Sequence, residues 1–251
     1  MFFFDYSFNF LLVLSISSLI MGMSRGGIGG GAGLVGVLLA AQVLPPIKAA
    51  ALLLPILVIT DPISIWLYKK NIHWKSLKIL LPGVTSGLLI AYFTVSIISA
   101  NLIKFIVGIL ALSLVIDGIR SKFSKDQSKI FSPTIGFILG SIAGFSSFLI
   151  HSGLPPVAAY LMPQQLSRQS FMGTVAVFFG ITNLVKIFPY FYLGLFDEDL
   201  FILSIVLIPI AFIGVWIGRK VNNLVSDKLF FNFVYLTILI LGIRLIFESL
   251  S

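Results

Sequence analysis

Long apolar stretches separated by short polar loops dominate this chain. About 20 apolar residues in a helix cross the hydrocarbon core of a membrane. Several stretches reach that length, such as Tyr6 to Gly22, Leu77 to Ala100, Asn101 to Ile119, Phe171 to Leu195 and Leu200 to Gly218. Strands of a membrane barrel would instead show short segments of alternating hydrophobicity, which the sequence lacks. The pattern therefore predicts an all-α polytopic membrane protein.

Composition supports this fold class. The 251 residues are 58% hydrophobic and 10% charged, with a mean hydropathy of +1.09, whereas soluble domains carry roughly 25% charged residues. The net charge of +8 lies in short loops between apolar helices, so it indicates membrane topology rather than nucleic-acid binding. The chain has no cysteine, which excludes disulfides and thiolate metal sites. The N-terminal stretch lacks the basic start of a signal peptide and is predicted to be the first membrane helix.

The two halves of the chain resemble each other in order. The tripeptide Gly-Ile-Arg at Gly118–Arg120 recurs at Gly242–Arg244. Between these marks, matching residues pair in sequence: Gly22 with Gly144, Gly31 with Gly153, Leu77 with Leu200, Pro82 with Pro209 and Gly87 with Gly214. Their common order favours an internal repeat. We expect one membrane repeat at residues 1–120, a linker at 121–132 and a second repeat at 133–251.

The distribution of charge predicts how the repeats are oriented. If the segments Gly33 to Lys48 and Gly153 to Arg168 each cross the membrane, every half crosses five times and most of the 17 basic residues fall on one side. This cytoplasmic bias favours two inverted repeats of about five helices each, a cytoplasmic linker and both termini outside. The alternative is a re-entrant segment. Because Pro155 to Met162 makes only about 12 Å of helix, we expect helices broken near the membrane midplane.

Glycines from Gly26 to Gly33 form the first predicted break. Consecutive glycines weaken a helix, and unwound backbone at membrane depth is tolerated only when it is buried in protein or lines a cavity. The sequence therefore predicts substrate contacts from this segment, at Gly27, Gly29, Gly30 and Gly31. The alternative is close helix packing, which needs glycines one turn apart. No strand precedes the glycines and no P-loop signature is present, so no cofactor is expected.

A second predicted break follows about half the chain later. Its candidate substrate-binding residues are Ser146, Ser147, His151, Ser152 and Gly153. Pro155 or Pro156 is expected to open a short helix, whose amides and positive dipole end attract anions. The serine hydroxyls either donate to the substrate or bond their own helix, and the sequence leaves both open. For His151, a neutral hydrogen-bonded side chain is favoured over a role in proton coupling.

Two ionisable residues fall inside apolar stretches. Lys186 lies deep in the span Phe171 to Leu195, where a charge is costly and points to function, and Asn183 shares its helix face. We expect this pair to bind an anion. Asp61 lies at nearly the equivalent depth in the first half. It either pairs with Lys186, carries a coupled proton, or merely relieves the kink at Pro62, and these alternatives stay open.

The same segments resemble a known family. The resemblance rests on the Gly-rich break after the first helix, the break around Gly153, Pro155 and Pro156, the run Phe171, Gly173, Thr174 with Asn183 and Lys186, and Gly194 before a helix ending in Gly214 and Gly218. Over nearly the whole chain, these features resemble the TauE/SafE sulfite exporter family. The resemblance implies a bacterial inner-membrane carrier for small sulfur-containing anions, such as sulfite or C2 organosulfonates. His151 and Leu154 stand where the family has more glycine, and Val35 and Gly36 where it has proline, departures that bear on the substrate.

The sequence thus predicts a secondary transporter that works by alternating access, with Asp61 as its candidate proton-coupling residue. Export is the direction that the family name implies, and the sequence itself fixes no direction. An anion channel, or a proton-coupled uptake permease for a small carboxylate or sulfonate, remains the alternative. Two histidines and no cysteine offer neither catalytic nor metal-binding residues, so an enzyme is not expected. The expected partners are a small anion and membrane lipid, and a homodimer is left open.

Overall fold

A computed structural model describes residues 6–28, 30–95, 97, 99, 101–102, 105, 108–109, 111–112, 115–116, 132–196 and 198–250. Every regular element in this part of the chain is helical, which confirms the predicted all-α class. Six of these helices are long and apolar enough to cross a membrane, so the chain is a multi-pass membrane protein. The predicted linker at 121–132 lies, except for Ser132, outside the described residues.

The helices follow one another with short connections, except between α4 and α5, which residues 95–132 separate. Their bounds are α1 Phe8–Met23, α2 Gly30–Ala40, α3 Pro46–Tyr68, α4 Trp74–Thr94, α5 Pro133–Ile150, α6 Leu154–Leu161, α7 Arg168–Tyr192, α8 Glu198–Leu224 and α9 Asp227–Leu250. A π-helical turn, Ser24–Ile28, follows α1, and a 3-10 turn, Met162–Gln164, follows α6. The described residues between 101 and 116 are also helical.

Serine side chains set the start of several helices. Ser7, Ser132 and Ser167 each accept a hydrogen bond from the backbone N–H three residues later, at 3.3, 3.3 and 3.2 Å. Such a cap satisfies one of the amides that the first helical turn leaves without a partner. Each serine stands directly before the first residue of its helix, so local sequence fixes where the helix begins.

The first three helices run up, down and up. Ser17 Oγ of α1 donates to Gly36 O of α2 at 2.6 Å, and Gly33 lies against Ser24, so α2 returns along α1. α3 then takes the direction of α1, because Tyr68 Oη at its end donates to Gly26 O just past the end of α1, at 3.2 Å. At the opposite end, Leu14 belongs to the same buried cluster as Ala49 and Leu53 of α3.

Helices α5 and α6 repeat the course of α1 and α2. Gly153, before α6, lies against Ala143 and Ser147 of α5, whereas Gly136 near the start of α5 lies against the Tyr160 ring of α6. The short helix α6 therefore returns along α5, as α2 does along α1. Break and return are thus built twice in the same way.

Two helix pairs pack backbone against backbone. Gly22 of α1 faces the Ala211 backbone of α8, and Gly144 of α5 faces the Val84 backbone of α4. In the opposite direction, Gly214 of α8 and Gly87 of α4 lie against the backbones of α1 and α5. We call these contacts the glycine seams, α1 with α8 and α4 with α5. Small residues allow such close approach between membrane helices.

Between the seams, α3 packs against α7 in the antiparallel sense. Gly173 lies near the backbone of Tyr68 at the end of α3, whereas Gly180, farther along α7, lies near Ile65 and Asp61. Both helices are buried deeply, and α7 is the most buried of the candidate membrane helices, at 72%. This central contact brings together the polar residues that the sequence places deep in the membrane.

Candidate functional site

The first break is a single sharp turn at Gly27. Its φ of 128° is open to glycine and strained for residues with a side chain. A Cβ at Gly27 would meet Tyr68 Oη and the Asn222 side chain. Tyr68 Oη in turn donates to Gly26 O and accepts from Asn222 Nδ2 at 2.8 Å. The turn is therefore packed tightly under α3 and α8.

The unwound stretch is shorter than the sequence predicts. Gly30 and Gly31 lie in the helix α2, and Gly29 lies outside the described residues. Gly26 packs against the Val215 backbone of α8, so close helix packing, the alternative explanation, accounts for part of the glycine cluster. The prediction of unwound backbone through Gly33 is wrong for α2, because helical turns that contain glycine can still pack closely against α1.

The second break lies between α5 and α6. His151 ends α5 in the left-handed conformation, with φ 50°, and Gly153 precedes α6. As predicted, prolines open the short helix, since Pro155 and Pro156 are its second and third residues. Proline has no N–H, however, so among the first three residues of α6 only Leu154 carries an amide hydrogen. The expected row of bare amides is therefore reduced by the prolines themselves.

Lys186 of α7 contacts the residues at the second break. Its side chain is fully buried in α7 and crosses to the end of α5, where Nζ donates to Ser147 O and Oγ, each at 3.2 Å, and lies 2.7 Å from His151 Nδ1. An ammonium group has three hydrogens and no lone pair, so these neutral acceptors occupy it. Among the described residues, no carboxylate forms an ion pair with Lys186.

The contacts of His151 define its tautomer. Nε2 lies 3.0 Å from Ala50 O of α3, and a carbonyl can only accept, so Nε2 carries the hydrogen. Nδ1 then holds the lone pair that accepts from Lys186. This is the arrangement of a neutral histidine, in agreement with the favoured alternative from the sequence. His151 thereby ties Lys186 to the first third of α3.

The three serines of the second break differ in their contacts. Ser146 Oγ lies 2.8 Å from Ile142 O in its own helix and 2.9 Å from Ser152 O, so it stabilises the break internally. Ser147 Oγ accepts from Lys186. Ser152 Oγ is buried and has no hydrogen-bond partner among the residues that the structure describes. Of the three, Ser152 therefore retains a free polar atom beside the break.

Asp61 pairs with Arg25, not with Lys186. Asp61 Oδ1 lies 2.5 Å from Arg25 Nε, and the two side chains are 3% and 10% exposed. Asp61 Oδ2 accepts from Asn183 Nδ2 of α7 at 2.7 Å, and Asn183 Oδ1 has no hydrogen-bond partner among the described residues. A direct pair with Lys186, one of the alternatives that the sequence leaves open, is not among the ion pairs of the described residues. Arg25 stands beside the first break, and 35 residues of chain separate it from this acidic partner.

Phe179 connects the two breaks. The guanidinium of Arg25 lies over the Phe179 ring, 5.6 Å from its centroid, and a Cβ at Gly153 would meet the edge of the same ring. Arg25 belongs to the first break and Gly153 to the second. Arg25 beside the first break and Gly153 at the second thus lie against the same aromatic ring of α7.

Two tyrosine contacts escaped sequence analysis. In the first half, Tyr68 of α3 donates to Gly26 O, and in the second half Tyr190 of α7 donates to Phe148 O at 2.5 Å. The register that pairs Gly22 with Gly144 also pairs these tyrosines and these carbonyls. We call the two contacts the tyrosine clasps. The signal in the sequence was the pair of tyrosines at equal intervals after the two breaks.

Arg168 holds an end of the molecule rather than the site. Its Nη1 donates to Asn222 O at 3.0 Å and to Val225 O at 2.5 Å, and its Nε lies 3.2 Å from Asp227 Oδ1. These contacts join the start of α7 to the turn between α8 and α9. Arg25 lies just before the turn of the first break and Arg168 follows the second break in the sequence, but Arg25 pairs with the buried Asp61 whereas Arg168 contacts the end of α8 and the start of α9.

Comparison with known proteins gives one match. The family model described as sulfite exporter TauE/SafE matches residues 12–245, nearly the whole chain. No curated protein and no solved structure matches.

Proposed function

Since the chain belongs to the TauE/SafE sulfite exporter family, a family of membrane transporters and not of enzymes, we propose that it exports a small sulfur-containing anion such as sulfite or a C2 organosulfonate. The observation that carries this proposal is Lys186, a fully buried cation without an acidic partner among the described residues. A charge at membrane depth is costly, by about 2.5 to 3.5 kcal/mol on insertion scales, and an anionic substrate supplies the missing counter-charge.

The substrate site lies where α7 meets the break between α5 and α6. Lys186 provides the charge, Ser147 and His151 hold its ammonium group in place, and Ser152 Oγ offers a free hydroxyl. Asn183 lies one turn before Lys186 on the same helix. Hydrogen bonds to a charged partner are the strong ones in a water-poor site, so a small oxyanion needs only a few of these groups.

Transport by alternating access is supported by the arrangement of the two halves. Equivalent helices α3 and α7 run antiparallel, and the seams pair α1 with α8 as they pair α5 with α4. These relations support two inverted repeats, at residues 1–120 and 133–251, which would allow two equivalent conformations that face opposite sides of the membrane. The return of α2 along α1, and of α6 along α5, favours five membrane crossings in each half. Both termini then lie on the non-cytoplasmic side of the inner membrane.

Asp61 is the coupling residue of this proposal. It is the one buried carboxylate among the described residues, and it contacts Arg25 beside the first break and Asn183 on α7, one turn before Lys186. Protonation from one side of the membrane removes its charge and weakens both contacts. Asp61→Asn is therefore expected to abolish the pH dependence of transport while the protein still reaches the membrane, and unchanged pH dependence would remove Asp61 from the coupling mechanism.

Transport in proteoliposomes tests the proposal. Purified protein is reconstituted and the movement of labelled sulfite is measured for wild type, Lys186→Met and Lys78→Met, a matched control because Lys78 is exposed on α4. Wild type and the control are expected to transport equally, and Lys186→Met is expected to lose transport. Lys186→Met that transports with the wild-type rate and KM contradicts the proposed site.

A further inference from the structure

Buried charge in this protein is unbalanced. Among the described residues, three charged side chains are buried: Arg25, Asp61 and Lys186. They amount to two cations and one carboxylate. His151, which donates through Nε2 to Ala50 O and accepts through Nδ1, adds no charge in this arrangement. With Lys186 protonated, the site therefore has one net positive charge while Asp61 is ionised, and two when Asp61 is protonated.

The protonation state of Asp61 controls whether the Arg25 guanidinium can bind another anion. In the structure the guanidinium is engaged by Asp61 Oδ1, whose other oxygen is held by Asn183. A proton on the carboxyl group removes its negative charge, and with it the attraction that holds Arg25. A buried guanidinium cannot lose its own charge, so it then requires another anion.

We propose that Arg25 is a second anion-binding residue which exchanges Asp61 for the substrate, so that a divalent oxyanion binds together with one proton on Asp61 and a monovalent anion binds without one. This inference rests on the proposed function. The charges balance in both cases. Two cations and a neutral Asp61 match a dianion, whereas two cations and an ionised Asp61 match a monoanion.

The position of Arg25 suits this exchange. Its guanidinium lies over Phe179, whose ring also borders Gly153 at the second break, so Arg25 and the group around Lys186 approach the same part of α7. A planar guanidinium binds two oxygens of an oxyanion at once. The charged and titratable groups that face Asp61 are Arg25 from the first break, Lys186 from α7 and, behind Lys186, His151 from the end of α5.

Two anions of fixed charge test the inference. Sulfate is a dianion and methanesulfonate a monoanion throughout the neutral range. Binding to the purified protein is measured by calorimetry in buffers of different ionisation enthalpy, which counts the protons taken up. Wild type is expected to take up one proton with sulfate and none with methanesulfonate. The sulfate Kd is expected to rise about tenfold per pH unit where the free carboxyl group is ionised, with no such slope for methanesulfonate.

Variants separate the roles of the two partners. Asp61→Asn is expected to bind sulfate without proton uptake and without pH dependence. The double variant Arg25→Gln with Asp61→Asn contains no unpaired member of the buried pair, so it avoids the folding defect that a single change at Arg25 risks. It is expected to keep methanesulfonate binding and to weaken sulfate binding at least tenfold. Arg219→Gln is the control, because Arg219 is exposed on α8, and should match wild type.

Each outcome has a distinct meaning. If sulfate binds in a Lys186-dependent way without proton uptake, the exchange is overturned and the proposed function stands. If the double variant binds sulfate as tightly as Asp61→Asn does, Arg25 is not an anion ligand. If sulfite, sulfate and methanesulfonate all fail to bind wild type, the proposed function falls and the inference falls with it.

Discussion

Removal of one hydroxyl group at Tyr190 should destabilise the second half of the protein. Tyr190 is fully buried in α7, and its Oη donates to Phe148 O. Phe148 lies in the last turn of α5, where carbonyls have no amide four residues later within the helix. In Tyr190→Phe the ring still fills its place against Phe148, with which it makes an edge-on contact at 5.2 Å, so the change removes the hydrogen bond and little packing.

The expected cost follows from this geometry. A typical hydrogen bond contributes about 0.5 to 1.5 kcal/mol, but a buried acceptor that loses its donor costs about 1 to 3 kcal/mol. Since water cannot reach Phe148 O easily beside a fully buried ring, the upper part of that range applies, about 2 to 3 kcal/mol. Tyr192→Phe is the control, because Tyr192 is 74% exposed and surface changes usually stay within about 0.5 kcal/mol.

Reversible unfolding in mixed micelles of increasing denaturing detergent measures the difference. We expect Tyr190→Phe to unfold at a lower fraction of denaturing detergent than wild type, and Tyr192→Phe to coincide with wild type. Tyr68→Phe, the equivalent change in the first half, should be destabilising in the same sense, because it leaves both Gly26 O and Asn222 Nδ2 without their partner. Identical unfolding of Tyr190→Phe and wild type would show that the clasp does not stabilise the fold.

Three further substitutions test other contacts. Gly87→Leu should cost at least about 1 to 3 kcal/mol, because its Cβ would meet the Ser141 backbone; thermal unfolding measures this, and stability equal to wild type would contradict the seam. His151 has a φ of 50°, so His151→Val should lower the free energy of unfolding by about 1 to 3 kcal/mol. His151→Gly should fold well but bind the anion less tightly. Equal stability of the two variants would argue against backbone strain. Arg168→Met should expose the start of α7 to hydrogen exchange, since it removes the donor to one carbonyl in the last turn of α8 and to another just after it. Unchanged exchange there would refute this.

Local chemistry made several features predictable from the sequence. Apolar length located four of the six candidate membrane helices of the described residues, α1, α4, α7 and α8, and Pro155 and Pro156 located the start of α6. The burial of Lys186 also followed from its depth within a single apolar stretch. These predictions succeed because they depend on neighbouring residues along one helix, where the spacing of side chains is known.

Contacts between distant segments were less accessible. Arg25 carries a charge that a topology argument fully explains, so nothing in its neighbourhood indicated Asp61 as its partner. Gly26 lies among consecutive glycines that suggest a loop, and only the position of α8 shows that it packs against Val215. The prolines of α6 were read for their place in the helix, although their missing amides reduce the donors offered to an anion.

The glycine seams have a consequence for how the molecule can change shape. Backbone pressed on backbone leaves no flexible side chains that could rearrange, so the two helices of a seam are constrained to move as one body. Each such body takes one helix from the first half of the chain and one from the second. Any opening that admits a solute must therefore shift these mixed pairs past the α3 and α7 core, and a boundary drawn at the middle of the sequence would cut through both bodies.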